Sequence, residues 1–258
     1  MNIYGLTDKG MIREANEDCI GISCLTNGIT IAVVCDGMGG AAGGKIASAI
    51  AEETFMSSMV SFSEEIEKSK FDSKKIKAFI KESIEKANLA ILETARKDLS
   101  LHGMGCTLNA VVFCEPKSKI YYANVGDSRL YMIKKREIKQ LTKDHSYVQM
   151  LVDNKEITPE EAEDHPQKNL ITKALGIREE IEPDIADRRV FTKSETYFLL
   201  CSDGLHGLVS KENLKKVALA PITIENKIFT YIKLANEAGG HDNISAILLS
   251  TKESEVAK

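Results

Sequence analysis

An apolar strand that runs into an aspartate, a glycine-rich turn and then a helix constrains this chain more than any other feature. Residues 28–48 read GITIAVVCDGMGGAAGGKIAS. Ile29 to Cys35 is β-branched and almost unbroken, the pattern of a strand buried on both faces. Asp36 closes it, Gly37, Gly39, Gly40, Gly43 and Gly44 follow, and a helical pattern starts near Lys45 and continues through Ala47, Ile50, Ala51 and Phe55. Taken alone, the stretch fits three readings. Asp-Gly is a strong hairpin signal, which makes it an ordinary tight turn. Gly39, four residues, Gly44 and Lys45 reproduce most of the phosphate-loop pattern G-x-x-x-x-G-K-[ST], with Ile46 where the magnesium-binding hydroxyl belongs. Asp36 at the end of a buried strand is also placed to hold a hard cation.

The motif has echoes. Tyr197 to Gly204 (YFLLCSDG) is a second apolar strand ending in Asp-Gly, Ala123 to Ser128 (ANVGDS) puts Asp127 at the end of a third, and Gly239 to Asn243 (GGHDN) puts Asp242 just ahead of the last strand. A carboxylate near a core is costly to desolvate unless something pairs with it. Arg13 and Arg129 can pair with only some of these four. A divalent cation answers the rest, since Mg²⁺ and Mn²⁺ take oxygen ligands and glycine lets backbone carbonyls approach. Zinc is disfavoured, because the five histidines (102, 145, 165, 206, 241) show no metal-ligand spacing. Two cations bridged by a shared carboxylate would activate a water for in-line attack on phosphorus.

The rest of the chain narrows the choice. At 258 residues and 43% hydrophobic it makes one large domain or two small ones, and no linker, repeat or low-complexity segment divides it. A net charge of −4 argues against a nucleic-acid surface. Six scattered cysteines without a C-x-x-C pair read as reduced thiols in a reducing compartment. No signal core and no apolar run approaching a membrane span is present, so a cytoplasmic location is expected. Hydrophobic periodicity predicts strands at 3–7, 19–23 and 29–35, then helices at 45–60 and 71–99 joined by a charged surface connection at 61–70. Strands at 107–114, 119–125 and 130–134 follow, then a polar excursion with a capping box at Thr158-Pro159-Glu160-Glu161. Strands at 180–190 and 196–201, helices at 211–220 and 225–238, and a strand at 244–250 complete the order. This is not the βαβα alternation of a parallel sheet, which weakens the phosphate-loop reading and suggests antiparallel sheets flanked by helices.

The ordered motifs resemble the metal-dependent protein phosphatase family (PPM, the type 2C serine/threonine protein phosphatases), in its compact bacterial form. R-x-x-N-E-D stands at 13–18, D-G-M-G-G at 36–40, G-C-T-L at 105–108, N-V-G-D-S-R at 124–129 and L-T-K-D-H at 141–145. I-T-P-E-E-A at 157–162, H-P-Q at 165–167, I-T-K-A-L-G at 171–176, L-C-S-D-G-L at 200–205 and G-G-H-D-N-I-S at 239–245 continue the series. The resemblance implies an α+β fold, a four-layer α-β-β-α sandwich of two antiparallel sheets flanked by antiparallel helices. It implies a single catalytic domain over 1–258 with a flap at about 143–176. The expected activity is hydrolysis of phosphoserine and phosphothreonine in proteins with two Mn²⁺ or Mg²⁺ ions, reversing a cognate serine/threonine protein kinase. On this resemblance Asp36 bridges both ions, the Gly37 carbonyl binds one, and Asp203 and Asp242 bind the other. Glu17 and Asp18 act near the metals through water, Arg13 grips the substrate phosphate, Asp127 holds a third metal and Asn169 contributes there. A monomer with no nucleic-acid partner and no membrane segment is expected.

Three positions depart from the family pattern. Met38 stands where larger eukaryotic relatives carry a histidine proposed to protonate the leaving alcohol, so no dedicated acid is expected there. Lys45 replaces an acid frequent in bacterial relatives and creates the apparent phosphate loop. Asn169 replaces a common serine. Cys35 and Cys201 neighbour the aspartates but lack the C-x₅-R loop of cysteine phosphatases, and read as strand packing. His145, His165 and His206 read as structural or surface residues rather than proton relays. Met150 and Leu151 read as packing of the excursion's helix onto the body, with an apolar contact to a peptide substrate as the other use. Two other functions remain open on the residues: a nucleotide-binding kinase or NTPase using Gly39 to Lys45, and a non-catalytic module that keeps the fold.

Overall fold

Residues 2–39, 43–190 and 195–251 are described by the structure, a computed structural model. The strands are β1 (Asn2–Asp8), β2 (Cys19–Cys24), β3 (Ile29–Cys35), β4 (Gly37–Met38), β5 (Gly105–Cys106), β6 (Leu108–Cys114), β7 (Lys119–Val125), β8 (Arg129–Lys134), β9 (Glu137–Gln140), β10 (Asp184–Arg189), β11 (Tyr197–Cys201) and β12 (Ile244–Ser250). The α-helices are α1 (Gly43–Lys68), α2 (Ser73–Lys97), α3 (Tyr147–Asp153), α4 (Pro159–Glu163), α5 (Asp203–His206), α6 (Lys211–Ala218) and α7 (Ile224–Glu237). One five-stranded sheet runs β1-β12-β11-β8-β9, the other β10-β7-β6-β3-β2, and β4 pairs with β5. Every pairing is antiparallel.

The unbroken apolar strands follow from burial on two sides. Along β3, side chains alternate between faces. Ile29, Ile31, Val33 and Cys35 face the layer of α1 and α2, where Ala47, Phe55, Ile80 and Ile84 pack on them. Ala32 and Val34 face the other sheet and meet Phe198, Leu200, Ile247 and Leu249. β11 repeats the scheme, with Leu199 and Cys201 turned to α6 and α7 and Phe198 and Leu200 turned inward. The layers are therefore helix, sheet, sheet, helix, as expected.

Three local expectations change. The charged stretch 61–68 is helix: α1 runs to Lys68 because Ile66 is fully buried and Phe62 stacks on Phe79 of α2 at 4.3 Å. Two left-handed residues, Lys70 and Phe71, then turn the chain, and the Asp72 carboxylate caps α2 by accepting from the Lys74 and Lys75 N–H groups. Glu137 to Gln140 forms an edge strand on β8, where the periodicity predicts no strand after 130–134. Asp203 lies not on a strand end but at the first position of the short α5. The capping box at Thr158 and Glu161 is present as expected. Gly40, Ala41 and Ala42 of the opening turn lie outside the described residues.

Candidate active site

The ends of β3 and β11 bring the acids together. Asp36 leaves β3 and is clamped at both backbone atoms by Thr107: its N–H donates to Thr107 Oγ1 at 3.0 Å, and the Thr107 N–H donates to its carbonyl at 2.8 Å. Thr107 Oγ1 lies 2.8 Å from Ser128 Oγ, tying this clamp to the neighbour of Asp127. Gly37 must be glycine, because a Cβ there would stand 2.2 Å from the Gly44 carbonyl oxygen and 2.5 Å from that of Glu17. Gly44 is thus spent on a backbone contact at the start of α1, and Lys45 is exposed. Together with the wholly antiparallel sheet around β3, this removes the phosphate-loop reading. In the other sheet, Gly204 packs against Asn243, where a Cβ would meet its carbonyl oxygen at 2.1 Å, drawing Asp203 toward Asp242.

The loop of residues 9–18 crosses this junction. Asn243 holds it: its Oδ1 accepts from the Glu17 N–H at 2.8 Å, and its Nδ2 donates to the Lys9 and Ala15 carbonyls at 2.9 Å each. Asp18 Oδ2 accepts from Ser202 Oγ at 2.9 Å and Ser245 Oγ at 2.6 Å. Arg13 Nη2 donates to Asp242 Oδ2 at 2.7 Å. Thr107, Asn243, Ser202 and Ser245 escape an argument based on charge, because they act on the acids without being acids. Their signal is position: each is inside or next to one of the family motifs.

Electrostatics set these acids apart. Burial raises Asp36 well above the ordinary carboxylate range, and its charged neighbours Asp18, Asp203, Asp127 and Asp242 all add to the rise. Burial pushes Asp18 up to about 7 against the two serine hydrogen bonds, with repulsion from Asp203 and Asp242 adding to it. Asp127 is pushed up to about 8 by burial and then by Asp203 and Asp144. Asp203 is raised by burial and by Asp242, partly offset by a hydrogen bond with Asp36. Asp18 Oδ1, Asp127 Oδ1 and Asp203 Oδ1 are buried without a hydrogen-bond partner. Such atoms are rare in native folds and call for an ion, a water or a catalytic role.

Of the expected site residues, Arg13, Glu17, Asp18, Asp36, Gly37, Asp127, Asp203 and Asp242 meet at this junction. Asn169 lies apart, exposed in the turn before Leu170. His206 Nε2 lies 3.1 Å from the Asp127 carbonyl, and burial lowers its pKa well below the ordinary value, so it stands neutral as a structural partner. Cys201 is fully buried with its thiol pushed up to about 12, and Cys35 is raised likewise, which makes both inert packing. All six cysteines are free.

An all-oxygen set of buried acids with orphaned atoms fits a hard divalent cation. Among the described residues no group of three His, Cys, Asp or Glu side chains closes on one point.

Comparison with known proteins agrees. The profile of the protein phosphatase 2C family matches residues 13–247. Protein phosphatase PhpP of Streptococcus pneumoniae is 35% identical over 256 residues, covering 99% of both chains. The structure of serine/threonine phosphatase Stp1 from Staphylococcus aureus superimposes with a TM-score of 0.85 at 33% identity, over 98% of this chain and 95% of that one. The catalytic domain of the serine/threonine protein phosphatase PstP, solved with two manganese ions, superimposes with a TM-score of 0.79 at 30% identity over 96% of each chain. The chain belongs to the protein phosphatase 2C family, and both the expected sandwich and the expected enzyme class, a protein serine/threonine phosphatase, are borne out. Among the described residues no helix is long and apolar enough to cross a membrane.

Proposed function

We propose that the acid junction is a two-cation centre at which this enzyme removes phosphate from serine and threonine in phosphorylated proteins, opposing a cognate protein kinase in the cytoplasm. The carrying observation is the group Asp18, Asp36, Asp127 and Asp203, each raised by burial and by neighbouring carboxylates, three of whose oxygens are buried without a partner. Asp36 and the Gly37 carbonyl would hold one Mn²⁺ or Mg²⁺, and Asp36, Asp203 and Asp242 the other. Asp127 would hold a third, to which Asn169, in the flap of residues 143–176 of the single catalytic domain, would contribute. When bound, the cations supply Lewis-acid charge neutralisation and a water of lowered pKa as nucleophile.

The chain's own groups do the rest. Arg13 is half-exposed and commits Nη2 to Asp242, which leaves its other N–H donors free to take a phosphate oxygen. Glu17 and Asp18 stand behind the acids as acceptors for ordered water. Met38 has no acidic proton to give, so this position supplies no dedicated acid for the leaving alkoxide. The six free cysteines suit a reducing compartment, and a monomer suffices, since every group named comes from one chain.

The test is phosphate release from a phosphothreonine peptide before and after EDTA treatment, then with Mn²⁺ restored. Activity lost with EDTA and recovered with Mn²⁺ is expected. Turnover that continues undiminished in EDTA contradicts the two-cation reading.

A further inference from the structure

Beside the junction runs a groove of about 590 Å³ between β1 and α7, lined by Leu6, Asp8, Met11, Phe229, Ile232 and Lys233 among others. Its apolar walls are open to solvent: Met11 is 68% exposed and Phe229 52%. Large exposed apolar side chains gathered around one concavity mark an interaction site. Of the polar groups at its edge, Asn236 Oδ1 is buried without a hydrogen-bond partner, while Asp8 and Lys233 are engaged. Asp8 Oδ1 accepts from the Gly10 N–H at 2.9 Å and from Asn236 Nδ2 at 3.1 Å, and Lys233 pairs with Glu237 at 3.7 Å. The edge carries two acids, Asp8 and Glu237, against one base, Lys233, which disfavours an anionic occupant, and the exposed Met11 and Phe229 offer an apolar one a surface to cover.

Through Met11 the groove borders the loop that carries Arg13. The Met11 and Ile12 N–H groups both donate to the Gly240 carbonyl, at 2.8 and 3.2 Å, two residues before Asp242. Gly10 lies so close to the Asp242 carbonyl that a Cβ would meet its oxygen at 2.2 Å. Arg13, held on Asp242, is two residues from Met11, and at a maximal rise of about 3.6 Å per residue their Cα atoms stand within about 7 Å. A substrate chain whose phosphate rests on Arg13 has the same reach per residue. Its side chains two to four positions away pass over Met11 and the groove mouth.

We propose that this groove is a specificity subsite that receives an apolar side chain of the phosphoprotein substrate, two to four residues from the phosphorylated serine or threonine. This rests on the phosphatase reading above. Met11 and Phe229 form its walls and touch no reacting atom, so they set KM for long substrates and leave small ones untouched.

The experiment compares phosphothreonine peptides carrying leucine at each of positions −4 to −2 and +2 to +4 with an all-glycine peptide, and p-nitrophenyl phosphate as a substrate too short to enter the groove. All are run with Mn²⁺ on the wild type, Phe229→Ser and Met11→Ser. The expected result is a KM about tenfold lower for the best leucine peptide than for the glycine peptide, the order of gain from burying one such side chain. Both variants should erase that advantage while p-nitrophenyl phosphate turnover stays at the wild-type level. Absence of any leucine preference in the wild type overturns the proposal, whatever the variants do. So does a preference that survives both variants, or a Phe229→Ser protein that changes only its oligomeric state, which would make the groove a self-association face. A wild type that turns over neither peptides nor p-nitrophenyl phosphate sinks the phosphatase reading itself and this subsite with it. Turnover of p-nitrophenyl phosphate without leucine preference sinks the subsite alone.

Discussion

Two buried acid settings lie at the same end of the sandwich and are built in opposite ways. Asp144, nearly buried, is met in full: Arg129 Nε and Nη2 donate to its carboxylate at 2.9 and 2.6 Å, Gln140 Nε2 adds a bond at 2.8 Å, and Arg129 Nη1 is taken up by the Tyr131 hydroxyl at 3.0 Å. Asp18, Asp36, Asp127 and Asp203 sit nearby with one another for company, and their strained ionisation is set by burial and mutual repulsion. The chain therefore meets the Asp144 carboxylate in full with the Arg129 guanidinium, whereas at the junction its one guanidinium contact, Arg13 on Asp242, leaves Asp18, Asp127 and Asp203 each with an unpartnered buried oxygen. The first arrangement is structural and self-contained. The second leaves three buried carboxylate oxygens without a partner, which the proposed divalent cations would satisfy.

The comparison breaks most sharply at Asp36. Asp36→Asn should lower phosphate release at least a thousandfold, about 4 kcal/mol of transition-state stabilisation. The same change removes a carboxyl whose ionisation burial and its neighbours oppose, so the melting temperature of the metal-free variant should equal or exceed that of the wild type. Steady-state kinetics and calorimetry on one preparation check both halves. Asp144→Ala should do the reverse. It leaves the buried Arg129 without its counter-charge and should lower stability by about 3–5 kcal/mol in urea denaturation, while turnover per folded molecule stays near wild type.

A smaller effect sharpens the difference through pH. Asp18 and Asp127 are held near 7 and 8 in the fold, against 3.8 for an ordinary aspartate. The folded state then binds more protons than the unfolded one between those values, so stability falls as pH rises across that window. Below about pH 4 both states are protonated and the full contribution is present; by about pH 8 it is gone. Metal-free protein should lose roughly 5 °C or more of melting temperature from pH 5 to pH 8, and added Mn²⁺ should abolish the loss by holding the ionised acids. A metal-free melting temperature flat across that range counts against the cluster's electrostatics.

How much of this was legible in the sequence depended on whether a residue acts through its own type or through its neighbours. β3, β7 and β12 were read at their true limits, because strands that pack on both sides leave an apolar run with polar or glycine ends. The capping box at Thr158 was legible for the same local reason. The end of α1 was not, since Ser61 to Lys68 looks like solvated surface until Ile66 and Phe62 find α2. The aspartates announced themselves by charge at strand ends. Asn243, Thr107, Ser202 and Ser245 did not, because their function is a hydrogen bond to a partner up to 234 residues away. The pairing of Arg13 with Asp242 was hidden likewise, since the two are 229 residues apart. Lys45, which suggested a nucleotide, is explained by Gly44: the glycine serves the backbone contact with Gly37, and the lysine beside it faces water.

The claim beneath the whole account is that the acid junction is finished by divalent cations. Calorimetric titration of Mn²⁺ into metal-free wild type and into Asp203→Asn tests it without reference to activity. At least two bound ions per chain in the wild type, with one lost or weakened at least tenfold in Asp203→Asn, is the expected result. Equal Mn²⁺ binding by the two proteins, or none by the wild type, would contradict it.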